Sequence, residues 1–264
     1  MKQVRIIAAV VLIFIAPMCS AFAEQKSTLA GAARIDITPD GPIRLSGYGA
    51  RNRESEGVDQ RLFAKALAIG GDAMSAPAVL VTFDGIGITS ELTDKIAKRL
   101  NKQKGLAPER IAICASHTHS APMLSNLLPT IFGEPVREDQ QERIDAYTNL
   151  LVRKIVQVAI EAIDDRQPAY LSWSKSQATF AANRRTPGGP VDHSVPVLRV
   201  TGSDGELIAI LANYACHGTT LTERQNRIHG DWAGVAQEVI EKQYPGCLAM
   251  IAIGCGADAN PKSR

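Results

Sequence analysis

The run Ile111-Ala112-Ile113-Cys114-Ala115 limits the folds open to this chain more than any other stretch. It is short, apolar and partly β-branched. Ser116-His117-Thr118-His119-Ser120-Ala121 follows it, and then Pro122, which cannot donate to a strand ladder. Ahead of it lie a second apolar run over 78–83 and a helix-type stretch reaching to about Lys102, which Thr89 or Ser90 is placed to cap. Strand, helix and strand in that order favour a parallel pair joined by a crossover. The chain is therefore expected to be α/β, with a mixed β-sheet core and flanking helices. If the strand continues through the histidines, His117 and His119 share one face and point into one space at its end. Strand ends are where α/β proteins usually place function, and neutral imidazole is the commonest metal-binding side chain. The pair points to metal or acid–base chemistry.

The first 23 residues read as a targeting segment. Lys2 and Arg5 give a positive start, residues 6–15 an apolar run, and Ala21-Phe22-Ala23 a small-residue cleavage site before Glu24. The run is too short to span a bilayer comfortably, and no later segment approaches the required length. Cys19 follows Ala16-Pro17-Met18, a poor lipoprotein box. Export through a cleavable signal, to the periplasm or the medium, is expected, with residues 24–264 as one large domain. Removing Lys2 and Arg5 from the 29 basic residues balances the 27 acidic ones. With no Lys/Arg block, nothing here attracts nucleic acid. Cys114, Cys216, Cys247 and Cys255 remain without a CxxC pair, and Cys114 and Cys216 read as small buried hydrophobes.

Along the chain, residues 31–38 read as a strand stopped by Pro39-Asp40-Gly41-Pro42. Residues 62–69 form another, which Gly70-Gly71-Asp72 turns into 78–83 as a hairpin. Asp84 ends that strand beside Gly85, either as a capping carboxylate or as one serving a metal site. The long loop between Pro122 and Glu138 is apolar in its middle and suits a lid or a substrate-binding surface. A long amphipathic helix is expected over 140–164, strands over 170–174, 195–200 and 207–214, a helix over 232–244 and a buried strand over 248–253. The 207–214 strand delivers Cys216-His217-Gly218 and so repeats the pattern of His117: an apolar strand, a histidine, then small residues.

Taken together, these stretches resemble the N-terminal catalytic domain of the neutral/alkaline non-lysosomal ceramidases, which are secreted or membrane-associated zinc amidases. GAARIDITPD and LSGYGAR resemble the family's opening, and QRLFAKALAI and LVTFDGIGI its next strands. ASHTHSAP resembles its H-T-H-S-G-P motif, NYACHGTTL the strand carrying its second histidine, and IHGDWAGVA a following segment. The likeness keeps this order over nearly all of 31–261. It implies Zn2+ as cofactor, with His117 and His217 as ligands. It implies that His119 faces the substrate and its developing oxyanion without binding the metal directly, and that Arg184 holds the substrate. The implied substrate is an N-acyl lipid of ceramide type, or another small amide, and the resemblance allows a peripheral membrane contact.

The departures narrow this reading. Where the family has a serine nucleophile in G-D-x-S-P, this chain has Ala257-Asp258-Ala259-Asn260-Pro261, with Asn260 in the serine's place. A carboxamide cannot attack an acyl group, but it can donate a hydrogen bond to an oxyanion. His229 stands where the family has serine and is either a surface residue or an extra site histidine. The family's further ligands, a glutamate and a tyrosine, come from much later in the chain, and they are expected to be missing from a chain that stops at Arg264. Two histidines are too few for a tight zinc site. Asp84, His229 and Asp258 are the candidates to add a ligand or to stand behind one. Besides a ceramidase-like amidohydrolase, two readings stay open. One is a hydrolase of another amide or ester, which Asn260 favours. The other is a lipid-binding module without turnover, which the missing ligands favour.

Overall fold

Alternating strand and helix patterns resolve into an eight-stranded mixed sheet in the computed structural model, which describes residues 26–72, 75–131 and 133–263. The targeting segment lies outside the described residues. β1 (Thr28–Asp36), β2 (Phe63–Ile69) and β3 (Ala78–Phe83) are paired antiparallel in succession, with β2 and β3 forming the hairpin. Helix α1 (Ser90–Lys104) then crosses over to β4 (Ile111–Ala115), which pairs parallel with β3. Thr89 caps α1 by accepting from Leu92 N, and Gly105, at φ 63°, ends it by returning its N–H to Asn101 O.

Helix α2 (Glu138–Asp164) leads into β5 (Gln167–Gln177), followed by β6 (Ala181–Asn183), β7 (Ser194–Gly202) and β8 (Leu207–Tyr214). Helix α3 (Asp231–Gln243) precedes β9 (Leu248–Ile253), which pairs parallel with β8, and β10 (Ala259–Pro261) pairs with β6 in a separate ribbon. The sheet order β4-β3-β2-β1-β5-β7-β8-β9 has an antiparallel middle and a parallel pair at each edge. The sheet rolls so that the edge strand β9 touches β1, β3 and β4. The carboxyl ends of the two parallel pairs therefore meet on one side of the molecule.

Each face of the sheet is sealed by apolar packing. Ala64, Ala66 and Ala68 of β2 with Val79, Val81 and Phe83 of β3 face α1 and α2, which contribute Ile96, Leu100, Ile144, Leu151 and Ile155. Alanine on β2 keeps that surface low, so a long helix can lie across it. On the other face Leu67, Leu198, Val200, Leu248 and Met250 pack together. Lys65 is buried there too. It pairs with Glu241 of α3 at 2.7 Å and donates to Ala249 O at 2.8 Å, which ties α3 to the sheet. Of the four described cysteines, all free, Cys216 and Cys247 are buried and Cys255 is exposed.

Candidate metal centre

The strand does not carry both histidines. β4 ends at Ala115, Ser116 N donates to Phe83 O at 2.9 Å, and His117 adopts φ 59°. That left-handed turn, which histidine tolerates better than most residues, replaces the strand alternation expected from the sequence. The segment after it is held by the other histidine loop. Thr118 forms an isolated parallel bridge with Gly218, and His119 N donates to Gly218 O at 3.0 Å. A Cβ at Gly218 would lie 2.5 Å from His117 O, so only glycine permits this approach. His217, three residues beyond the end of β8, is fixed in turn by donating its N–H to Ala259 O at 2.9 Å.

Residues 100 positions apart therefore share one space. Ring centroids are 4.5 Å apart for His117–His217, 5.1 Å for His117–His119 and 5.5 Å for His119–His217. One ring nitrogen of each lies within 4.8 Å of the others, and this is a group placed to hold a metal ion. The hydrogen bonds set the tautomers. His117 Nδ1 meets Ile86 O at 2.7 Å, His119 Nδ1 meets Gly47 O at 3.0 Å, and His217 Nδ1 meets Gly256 O at 2.8 Å. A carbonyl oxygen only accepts, so each neutral ring carries its proton on Nδ1 and presents a lone pair at Nε2. His117 Nε2 and His119 Nε2 face each other at 3.4 Å, two acceptors with no donor between them, an arrangement that a cation relieves. Burial favours the same neutral state. It pushes the His117 pKa down, with the nearby Arg184 charge adding to the effect, and it lowers that of His119 to about 3.

Behind His119 stand residues of LSGYGAR, the stretch that resembles the family's opening. Gly47, at φ 98°, leaves room for the imidazole, since a Cβ there would lie 2.5 Å from its ring. The Tyr48 ring packs 5.0 Å from the His119 ring, and Arg51 Nη1 donates to His119 O at 2.6 Å. On the opposite side, the Trp232 indole N–H donates to His217 O at 2.9 Å. Nothing in the spacing of LSGYGAR reveals these contacts.

The other candidates surround the cluster. Arg184 is exposed just beyond β6, anchored by its N to Asp258 O at 2.7 Å and its Nε to Ala257 O at 2.9 Å. Asn260 follows the carbonyl that holds His217, and its Oδ1 accepts from Thr219 Oγ1 at 3.2 Å. Asp258 accepts from Asn183 Nδ2 at 3.1 Å. Asp84 is buried, accepting from Phe63 N at 2.9 Å and Gln237 Nε2 at 3.2 Å, and its pKa is raised by that burial. It anchors the turn whose Ile86 carbonyl holds His117. His229 accepts from Asp231 N through Nδ1 at 2.9 Å, while its carbonyl accepts from Thr118 Oγ1 at 2.8 Å. Among the described residues, the close donor group consists of the three histidines, without Asp84, His229 or Asp258.

Known proteins share the sequence and fold of this chain. Residues 29–250 match the family described as neutral/alkaline non-lysosomal ceramidase, N-terminal. A neutral ceramidase of Mycobacterium tuberculosis is 25% identical over 246 residues, covering 82% of this chain and 36% of that protein. One from Drosophila pseudoobscura pseudoobscura is 23% identical, covering 86% and 35%. The crystal structure of neutral ceramidase from Pseudomonas aeruginosa superposes with a TM-score of 0.75 at 22% identity, over 88% of this chain and 39% of that one. A ceramidase complexed with C2 gives 0.76 at 23%, over 88% and 38%. The chain thus spans little more than a third of the length of these relatives and shares the fold of that part. It belongs to the neutral/alkaline non-lysosomal ceramidase family and corresponds to its N-terminal domain.

Proposed function

We propose that this chain carries the metal-holding part of an exported zinc amidohydrolase that cleaves the amide bond of an N-acylated lipid of ceramide type. The convergence of three imidazoles, each with Nδ1 committed to a backbone carbonyl, carries this reading. Three neutral nitrogen donors without thiolate or carboxylate suit zinc better than the hard cations magnesium or calcium. His117 and His217 hold the ion, and His119 completes a set of three, a wider role than the substrate-facing one implied by the family resemblance. Bound there, zinc lowers the pKa of a water to about 7 and polarises a carbonyl.

The remaining residues bind and orient. Arg184 keeps its guanidinium at the rim, where it holds a polar group of the substrate, and Asp258 steadies that rim through Asn183. Asn260 uses its oxygen on Thr219, which leaves its amide N–H groups to donate to a developing oxyanion. Asn260 takes the place of the family's serine and cannot form an acyl-enzyme, so water serves as the nucleophile in this reading. Asn260 is also the observation that favours a second reading, hydrolysis of a different amide or ester on the same scaffold. Zinc-loaded protein assayed on a fluorescent short-chain ceramide and on an N-acyl amino acid separates the two. Chelator-sensitive ceramide cleavage is expected. Cleavage of the N-acyl amino acid alone selects the second reading, and lipid binding with no turnover of either overturns both.

A further inference from the structure

A guanidinium lies buried behind the metal cluster, hydrogen-bonded to backbone carbonyls. Arg51 is 4% exposed. Its two terminal nitrogens donate to four backbone carbonyls: Nη1 to His119 O at 2.6 Å and Ser46 O at 3.4 Å, and Nη2 to Gln225 O at 2.8 Å and Thr222 O at 3.4 Å. Its plane lies over the Tyr48 ring at 4.9 Å, and the same ring packs against the His119 imidazole. Tyr48 Oη donates to Leu221 O at 2.7 Å. Arg51 is itself held from behind, because Arg44 Nη2 donates to Arg51 O at 3.0 Å while Arg44 Nη1 reaches Gln140 Oε1 on α2 at 3.1 Å.

Burying a cation is unfavourable even with the Glu223 charge near it, and an apolar side chain could fill this space without that cost. What an apolar residue or a lysine cannot do is bridge carbonyls of three separate segments with a rigid planar fork. The segments are the Ser46–Arg51 turn, which supplies Gly47 O to His119 Nδ1, the His119 backbone, and the 220–225 loop.

We propose that Arg51 is a positioning residue for the metal centre. It acts through the His119 carbonyl to aim the His119 ring, and it couples that ring to the 220–225 loop. This inference rests on the metal-site reading above, and the test separates the two. Arg51→Lys and Arg51→Met are each made in the full chain and in a His119→Ala background. Cobalt(II) affinity is measured by chelator competition, and the His119 ring tautomer by long-range nitrogen–proton NMR on metal-free protein. Both substitutions should weaken cobalt binding by about 10- to 100-fold, the range typical of groups that orient a metal ligand. They should also mix the two His119 tautomers, with no further loss of affinity in the His119→Ala background. Wild-type affinity and an unchanged Nδ1–H tautomer in Arg51→Lys would overturn the inference. So would an equal loss with His119 absent, which would mean that Arg51 supports the fold at large. Should the wild type bind no cobalt, the metal reading fails while the NMR arm still decides the role of Arg51. Should Arg51→Met not fold, Arg51→Lys carries both arms.

Discussion

The position of one proton on each imidazole governs what this cluster can do. Nδ1–H is fixed on Ile86, Gly47 and Gly256 carbonyls, so metal affinity should depend on the rings rather than on nearby carboxylates. His117→Ala is expected to weaken zinc binding at least about 100-fold, and Asp258→Ala less than about 3-fold, by chelator competition. Acid stability follows from the same burial. An unfolded histidine takes up a proton near pH 6.5, whereas folded His119 does so only near 3. Between these values the unfolded chain binds more protons, so the metal-free protein should lose stability as pH falls through that window and gain nothing above it. Melting temperatures from pH 7 to 4 should drop less steeply in His119→Gln; parallel slopes would remove His119 from the explanation. Asn260→Ala should lower kcat on the order of 10²- to 10³-fold if its amide serves the oxyanion, and leave it nearly intact otherwise.

At the scale of elements, the two histidine loops act as one unit because Thr118 and Gly218 pair directly. Gly218→Val should separate them, abolishing stoichiometric metal binding while far-UV circular dichroism stays near wild type. Retained binding would show that the bridge is not needed. By contrast, Ile155→Ala, deep between α2 and the sheet, should cost about 2–5 kcal/mol in urea unfolding and leave metal affinity unchanged. The elements themselves were largely legible. Apolar alternation bounded by Gly-Gly-Asp located β2 and β3, and Thr89 or Ser90 marked the start of α1. The strand end at Ala115 was not legible, because neither Ser116 nor His117 is a strand breaker and Pro122 comes too late to mark it. The turn is imposed by pairing with a loop 100 residues away. The β6–β10 ribbon was missed for a similar reason, since three-residue strands carry no period and exist through their mutual pairing. Gly47, Tyr48 and Arg51 escaped because their role depends on a contact across the fold.

At the scale of the molecule, the roll of the sheet brings the carboxyl ends of its two parallel edges together, and the three histidines sit where they meet. No helix among the described residues is long and apolar enough to cross a membrane. The relatives are nearly three times longer, and this chain matches the part of them that the family's N-terminal domain covers. The central claim is that His117, His119 and His217 alone hold one zinc ion through Nε2. X-ray absorption on the zinc-loaded chain tests it most directly. The account predicts one zinc per chain, three imidazole nitrogens at about 2.0–2.1 Å and an oxygen in the remaining position. Substoichiometric zinc, a sulfur neighbour, or a spectrum unchanged in His119→Ala would contradict it.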